Sequence, residues 1–193
     1  GRPGRPLGRH LGRRLPRTVA LLALCLLVAC TTARTTSPGA IGLERTQRFS
    51  PLVSEEQIQS GAVQAYQQVL GKARNEGNLN TDEAMTRRVR AIAQRLIPHV
   101  GTFRQDALQW DWQANVIESD QLNAWAMPGG KIAFYSGIID KLQLTDAEIA
   151  AIMGHEIAHA LREHGRERAS ERVVSGLLLD GGVIFGSILT GTD

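Results

Sequence analysis

His155, Glu156 and His159 are the residues of this chain whose types and spacing can do chemistry; they stand as His-Glu-Ile-Ala-His. On a helix, side chains four apart share a face with Cβ atoms roughly 5–6 Å apart. Both imidazoles can therefore turn a ring nitrogen toward one zinc ion, at bond lengths of about 2.0–2.1 Å. Glu156, one residue past the first histidine, stands beside such an ion rather than on it, where it can take a proton from water. This spacing belongs to metal-dependent peptide hydrolysis. The plainer alternative is a surface helix carrying two solvated histidines.

The motif needs a helix, and the sequence supplies one. Thr145-Asp146-Ala147-Glu148 has the Thr-x-x-Glu form of a capping box, and Ile149, Ala150, Ala151, Ile152, Met153 and Gly154 lead into His155. So apolar a run predicts a buried helix, where an unpaired charge is costly and a metal would neutralise it. Further upstream, Ser54-Glu-Glu-Gln57 opens a helix with Ile58, Ala62, Ala65, Val69 and Leu70 at helical spacing. A second helix starts near Asn80-Thr81-Asp82, carries Met85, Val89, Ile92 and Leu96 on one face, and ends by Pro98. Packing is the whole role expected of both.

Between the second helix and the motif the period changes from helical to alternating. Leu108, Trp110, Trp112, Ala114 and Val116 alternate with polar residues, as a half-buried strand does. Residues 123–127 and 131–135 read as two further strands joined by a turn at Pro128-Gly129-Gly130. Trp125 is expected in the core, and a short helix over residues 138–142. Past the motif, residues 162–172 read as a solvated helical continuation. Residues 173–189 read as an apolar hairpin or buried helix, since Asp180 would cost about 2.5–3.5 kcal/mol in mid-bilayer.

Charge and cysteine content narrow the function classes. The 193-residue chain has a net charge of +3, but the first 29 residues hold six arginines and no acid; the remainder has 16 Lys and Arg against 19 Asp and Glu. Nucleic-acid binding therefore has no support. Residues 1–29 read as a secretory signal, with an Arg-rich start and an apolar run from Val19 to Ala29 too short to span a bilayer. Leu27-Val28-Ala29-Cys30 resembles a bacterial lipobox, which implies cleavage before Cys30, its lipidation and firm membrane anchoring. Residues 30–53 are expected to form a flexible tether. The only other cysteine is Cys25, inside the signal, so cysteine catalysis and cysteine-ligated zinc are excluded.

Three segments together carry a family resemblance: Asn123-Ala-Trp-Ala-Met-Pro-Gly-Gly-Lys-Ile132, Asp146 through His159, and Arg162-Glu-His-Gly-Arg-Glu-Arg168. Over residues 54–172 the chain resembles the HtpX-like zinc metallopeptidases, the gluzincin family that includes the CAAX prenyl proteases, and its periplasmic lipoprotein members above all. The resemblance implies an α+β, mainly helical zincin-like domain over residues 54–193, with a small sheet whose edge strand lines the cleft. It implies one zinc ion on His155 and His159, Glu156 as general base, and Asn123, Ala124, Trp125 and Ala126 binding extended substrate backbone by β-addition. Unfolded envelope proteins are the substrates it implies, with a lipid-anchored location on the periplasmic side of a bacterial membrane. The other reading is a lipoprotein module that holds unfolded proteins without cutting them.

The family's third zinc ligand is a glutamate on a helix well downstream. Only Glu163, Glu167 and Glu171 follow His159. On an unbroken helix Glu163 lies about 12 Å along the axis from His155, and His164 about 140° around it from His159. Neither is expected at the metal, and His164 reads as structural. The third ligand is accordingly expected beyond residue 193, in a longer reading frame, with the 193-residue piece inactive by itself.

Overall fold

A computed structural model of the chain describes residues 30–179, apart from 40, 41 and 43. The expected signal at 1–29, and residues 180–193 with the end of the apolar run, lie outside that part.

Both capping boxes read from sequence form. Ser54 caps α1 (Glu55–Asn75), its side chain accepting from the Gln57 amide while Gln57 reaches back to the Ser54 amide. Asp82 caps α2 (Glu83–Leu96), and two short 3₁₀ turns follow at Ile97–Thr102 and Gln105–Gln109. Three strands come next: β3 (Gln113–Ile117), β4 (Ala124–Met127) and β5 (Lys131–Tyr135). After the short α3 (Ser136–Lys141), Thr145 and Glu148 form the second capping box at the head of α4 (Asp146–Leu161). The last described element is α5 (His164–Leu179). Near the start, β1 (Thr31–Ala33) pairs antiparallel with β2 (Gln47–Phe49).

The sheet order is β3-β5-β4, with β5 parallel to β3 and antiparallel to β4. Strand alternation splits the core in two. Val116, Ile132 and Phe134 face Val89 and Ile92 of α2 and Ile149, Met153 and Ile157 of α4. Ile117, Met127 and Ala133 face Ala62, Tyr66 and Leu70 of α1. The fold is thus α+β and mainly helical, with a small sheet between helical layers. β4 is an edge strand and lies against α4, the helix that carries the motif.

Several expectations give way to tertiary structure. Residues 108–112 are not strand: the 3₁₀ turn at Gln105–Gln109 precedes Trp110 and Trp112, whose rings pack 5.6 Å apart, and the Trp112 indole donates to the Ala107 carbonyl at 2.8 Å. Trp125 is half-buried rather than core, its ring set edge-on to Tyr66 at 5.7 Å. The expected tether is folded in part. Phe49, Gln47 and Val53 are buried, and Arg166 of α5 lies over the Phe49 ring at 4.2 Å and donates to the Val53 carbonyl at 2.9 Å. Three-residue strands are too short for periodicity to reveal. Nor is α4 buried all round, since Ala151, His155 and Ala158 are exposed.

Candidate active site

α4 gives the site its geometry. Met153, Ile157, Ala160 and Leu161 anchor one face in the core, which leaves His155 exposed and His159 half-buried on another. Their Nε2 atoms converge to 3.0 Å and the rings meet edge to face, centroids 4.6 Å apart. Two nitrogens bound tetrahedrally to one zinc at 2.0–2.1 Å stand about 3.3 Å apart. The two histidines therefore fit a shared ion without helix distortion. Among the described residues no group of three or more His, Cys, Asp or Glu is arranged to hold a metal. The third ligand expected from sequence falls outside the described part.

Glu156 is half-buried, and burial raises its carboxyl from the ordinary carboxylate value, against the attraction of His155 and Arg168. A carboxylate raised in this way is a better proton acceptor than a solvated one. Burial also lowers the His159 imidazole, helped by the charges of His155, Arg168, Arg45 and Arg162. Both effects favour the neutral imidazole, the form that metals bind.

Edge strand β4 brings its residues beside this helix in different ways. Ala124 is buried, Trp125 and Ala126 are half-buried, and Asn123 is exposed, its carbonyl accepting from the Tyr135 amide at 3.1 Å. On the neighbouring flank of α4, Gly154, Ile157, Ala158 and Leu161 line an apolar recess of about 220 Å³ with Val100 and Phe103. Cys30 precedes β1 as a partly exposed free thiol.

The helix does not continue through residue 163. Glu163 takes φ +54, a left-handed conformation more usual for glycine at a helix end. Its carboxylate is buried between Arg104 (2.8 Å) and Arg166 (3.1 Å), while Arg104 also donates to the Leu161 carbonyl at 3.3 Å. Glu163 is thus a pivot between α4 and α5, facing arginines instead of the histidines. The reversal sets His164 against His159, ring centroids 4.7 Å apart and Nδ1 atoms 2.5 Å apart. The 140° separation of an unbroken helix does not apply, and His164 belongs to the site's surroundings. Sequence missed it because a glutamate carries no signal for a left-handed break. Arg45 was missed for another reason, its place in the supposed tether. It contacts His164 Nε2 and pairs with Glu167 at 2.7 Å, and Glu167 also accepts from the Arg48 amide at 3.1 Å.

Residues 83–188 match peptidase family M48. The chain belongs to that family. Among curated relatives, the mitochondrial metalloendopeptidase OMA1 of Arabidopsis thaliana is 29% identical over 80 residues, 42% of this chain and 16% of that protein. The human metalloendopeptidase OMA1 is 34% identical over 62 residues, covering 32% and 12%. The beta-barrel assembly-enhancing protease of Escherichia coli is 25% identical over 91 residues, covering 47% and 18%. The chain spans less than a quarter of the length of these relatives. Peptidase family M48 places it among metallopeptidases.

Proposed function

We propose that this M48 protein is a zinc-dependent endopeptidase of the bacterial cell envelope that cuts unfolded or misfolded proteins, of the HtpX-like kind and anchored by lipid on Cys30. The convergence of His155 and His159 Nε2 atoms at 3.0 Å carries the reading. Metalloendopeptidases and a beta-barrel assembly-enhancing protease among its relatives support it. His155 and His159 would hold the zinc, which when bound would supply Lewis-acid polarisation and a lowered water pKa. Glu156 takes the proton from the attacking water and returns it to the leaving amine. β4 offers its free edge to an extended peptide, a mode that selects unfolded segments over compact folds.

The test is cleavage of an unfolded, casein-like protein by the full natural chain, alongside a zinc titration. One zinc per chain, with cleavage abolished by chelator and restored by zinc, is the expected result. Failure to bind zinc overturns the metal assignment. Zinc binding without cleavage, together with suppressed aggregation of an unfolded protein, favours the holding module instead.

A further inference from the structure

We propose that His164 is a positioning residue for His159: its Nδ1 accepts the Nδ1 proton of His159, fixing the tautomer and ring plane that leave His159 Nε2 free for zinc. The inference rests on the proposed ligation by His155 and His159.

An imidazole that gives one nitrogen to a metal carries its proton on the other, and that N–H needs an acceptor to hold the ring in place. In His159 the metal-facing nitrogen is Nε2, 3.0 Å from its counterpart on His155. The back nitrogen, Nδ1, lies 2.5 Å from His164 Nδ1. Among the described residues no carboxylate or carbonyl oxygen is hydrogen-bonded to His159, so His164 is the acceptor available. Its position behind the ring, on the side away from His155 Nε2, also rules it out as a third ligand.

The placement is built into the fold. The left-handed turn at Glu163, clamped by Arg104 and Arg166, is what carries His164 back onto His159. On the far side, Arg45 contacts His164 Nε2. Arginine only donates. When His164 Nδ1 accepts from His159, neutral His164 carries its own proton on Nε2, and Arg45 loses its acceptor there while keeping Glu167 at 2.7 Å. Removing His164 should therefore weaken zinc binding, whereas removing the Arg45 guanidinium should not.

The experiment measures zinc affinity of the full chain by competition with a chromophoric chelator. His164→Leu should weaken zinc binding by about 10- to 100-fold, the usual effect of removing an outer partner of a ligating histidine. His164→Asn, which restores an acceptor, should stay within about threefold of the parent, and Arg45→Gln should bind at least as tightly. Long-range ¹⁵N–¹H spectra of the zinc-loaded parent should show His164 protonated on Nε2 and bare on Nδ1. This second measurement decides the matter if His164→Leu does not fold. Unchanged affinity in folded His164→Leu, or a proton on His164 Nδ1, overturns the positioning role. A parent that binds no zinc overturns the ligand assignment instead.

Discussion

The Nε2 atoms of His155 and His159 stand 3.0 Å apart, close to the spacing of two ligands on one tetrahedral zinc. One face of α4 is locked into the core by Met153 and Ile157, so this approach is set before any ion arrives. Glu156 lies between the two in sequence, half-buried, with its carboxyl raised by burial.

Glu156→Gln should separate binding from chemistry. Both histidines remain, so zinc affinity should stay within about threefold, while hydrolysis of an unfolded protein falls by about 10²- to 10⁴-fold without the base. Steady-state cleavage and a zinc titration on the same preparation check this. Cleavage at the parent's rate removes Glu156 from the role of base.

Stability of the zinc-free protein should depend on His164. Burial, then the charges of Arg45, His159, Arg162 and Arg168, lowers its imidazole from 6.5 to about 4. The unfolded state therefore binds more protons between those values, and stability rises with pH through that window. It is full above about 6.5 and is lost progressively as pH falls toward 4. Urea unfolding in chelator at pH 7.5, 6 and 5 should show the decline, and His164→Asn should flatten it.

Arg104→Met should destabilise the pivot between α4 and α5. Arg104 is 8% exposed and pairs with Asp106 at 2.9 Å and with the buried Glu163 at 2.8 Å, besides contacting Glu55. Breaking a buried pair from one side costs about 3–5 kcal/mol. A drop in Tm of roughly 10 °C is expected for a domain of this size. Little or no change in calorimetry would show that Arg166 alone suffices for Glu163.

The two turn glycines should differ in tolerance. Gly129 and Gly130 both have φ +81, a region costing an L-residue about 1–2 kcal/mol. A Cβ on Gly129 meets nothing within 4 Å, whereas one on Gly130 falls 2.8 Å from Trp112 Cδ2 and 3.0 Å from Trp112 Cα. Gly130→Ala should therefore cost about 1–3 kcal/mol more than Gly129→Ala, by the penalty of overpacking. Equal denaturation midpoints for the two variants would count against this packing.

Mass spectrometry of the mature N-terminus addresses the anchor. Cleavage before Cys30, with lipid on its sulfur and amine, is the expected form. An unmodified Cys30 in membrane-extracted protein removes the lipoprotein assignment.

The sequence by itself determined what depends on near neighbours. Ser54 with Gln57 and Thr145 with Glu148 act across a single helical turn, so both helix starts were legible. The His155–Glu156–His159 arrangement was legible for the same reason, because helical geometry alone brings its members together. Pro128-Gly129-Gly130 likewise announced the turn between β4 and β5, since positive φ favours glycine. Tertiary structure decided the rest. That β3 lies parallel to β5 across the sheet from β4 follows from which faces the helices cover, not from strand patterning. The break at Glu163 follows from two arginines, one of them 59 positions away, that stabilise a buried carboxylate in a left-handed turn. Arg45 and His164 stand 119 positions apart, and no local period encodes their meeting behind His159. Contacts of that kind exist only once the chain has closed on itself, because their energy comes from burial and charge pairing between segments that the sequence keeps far apart.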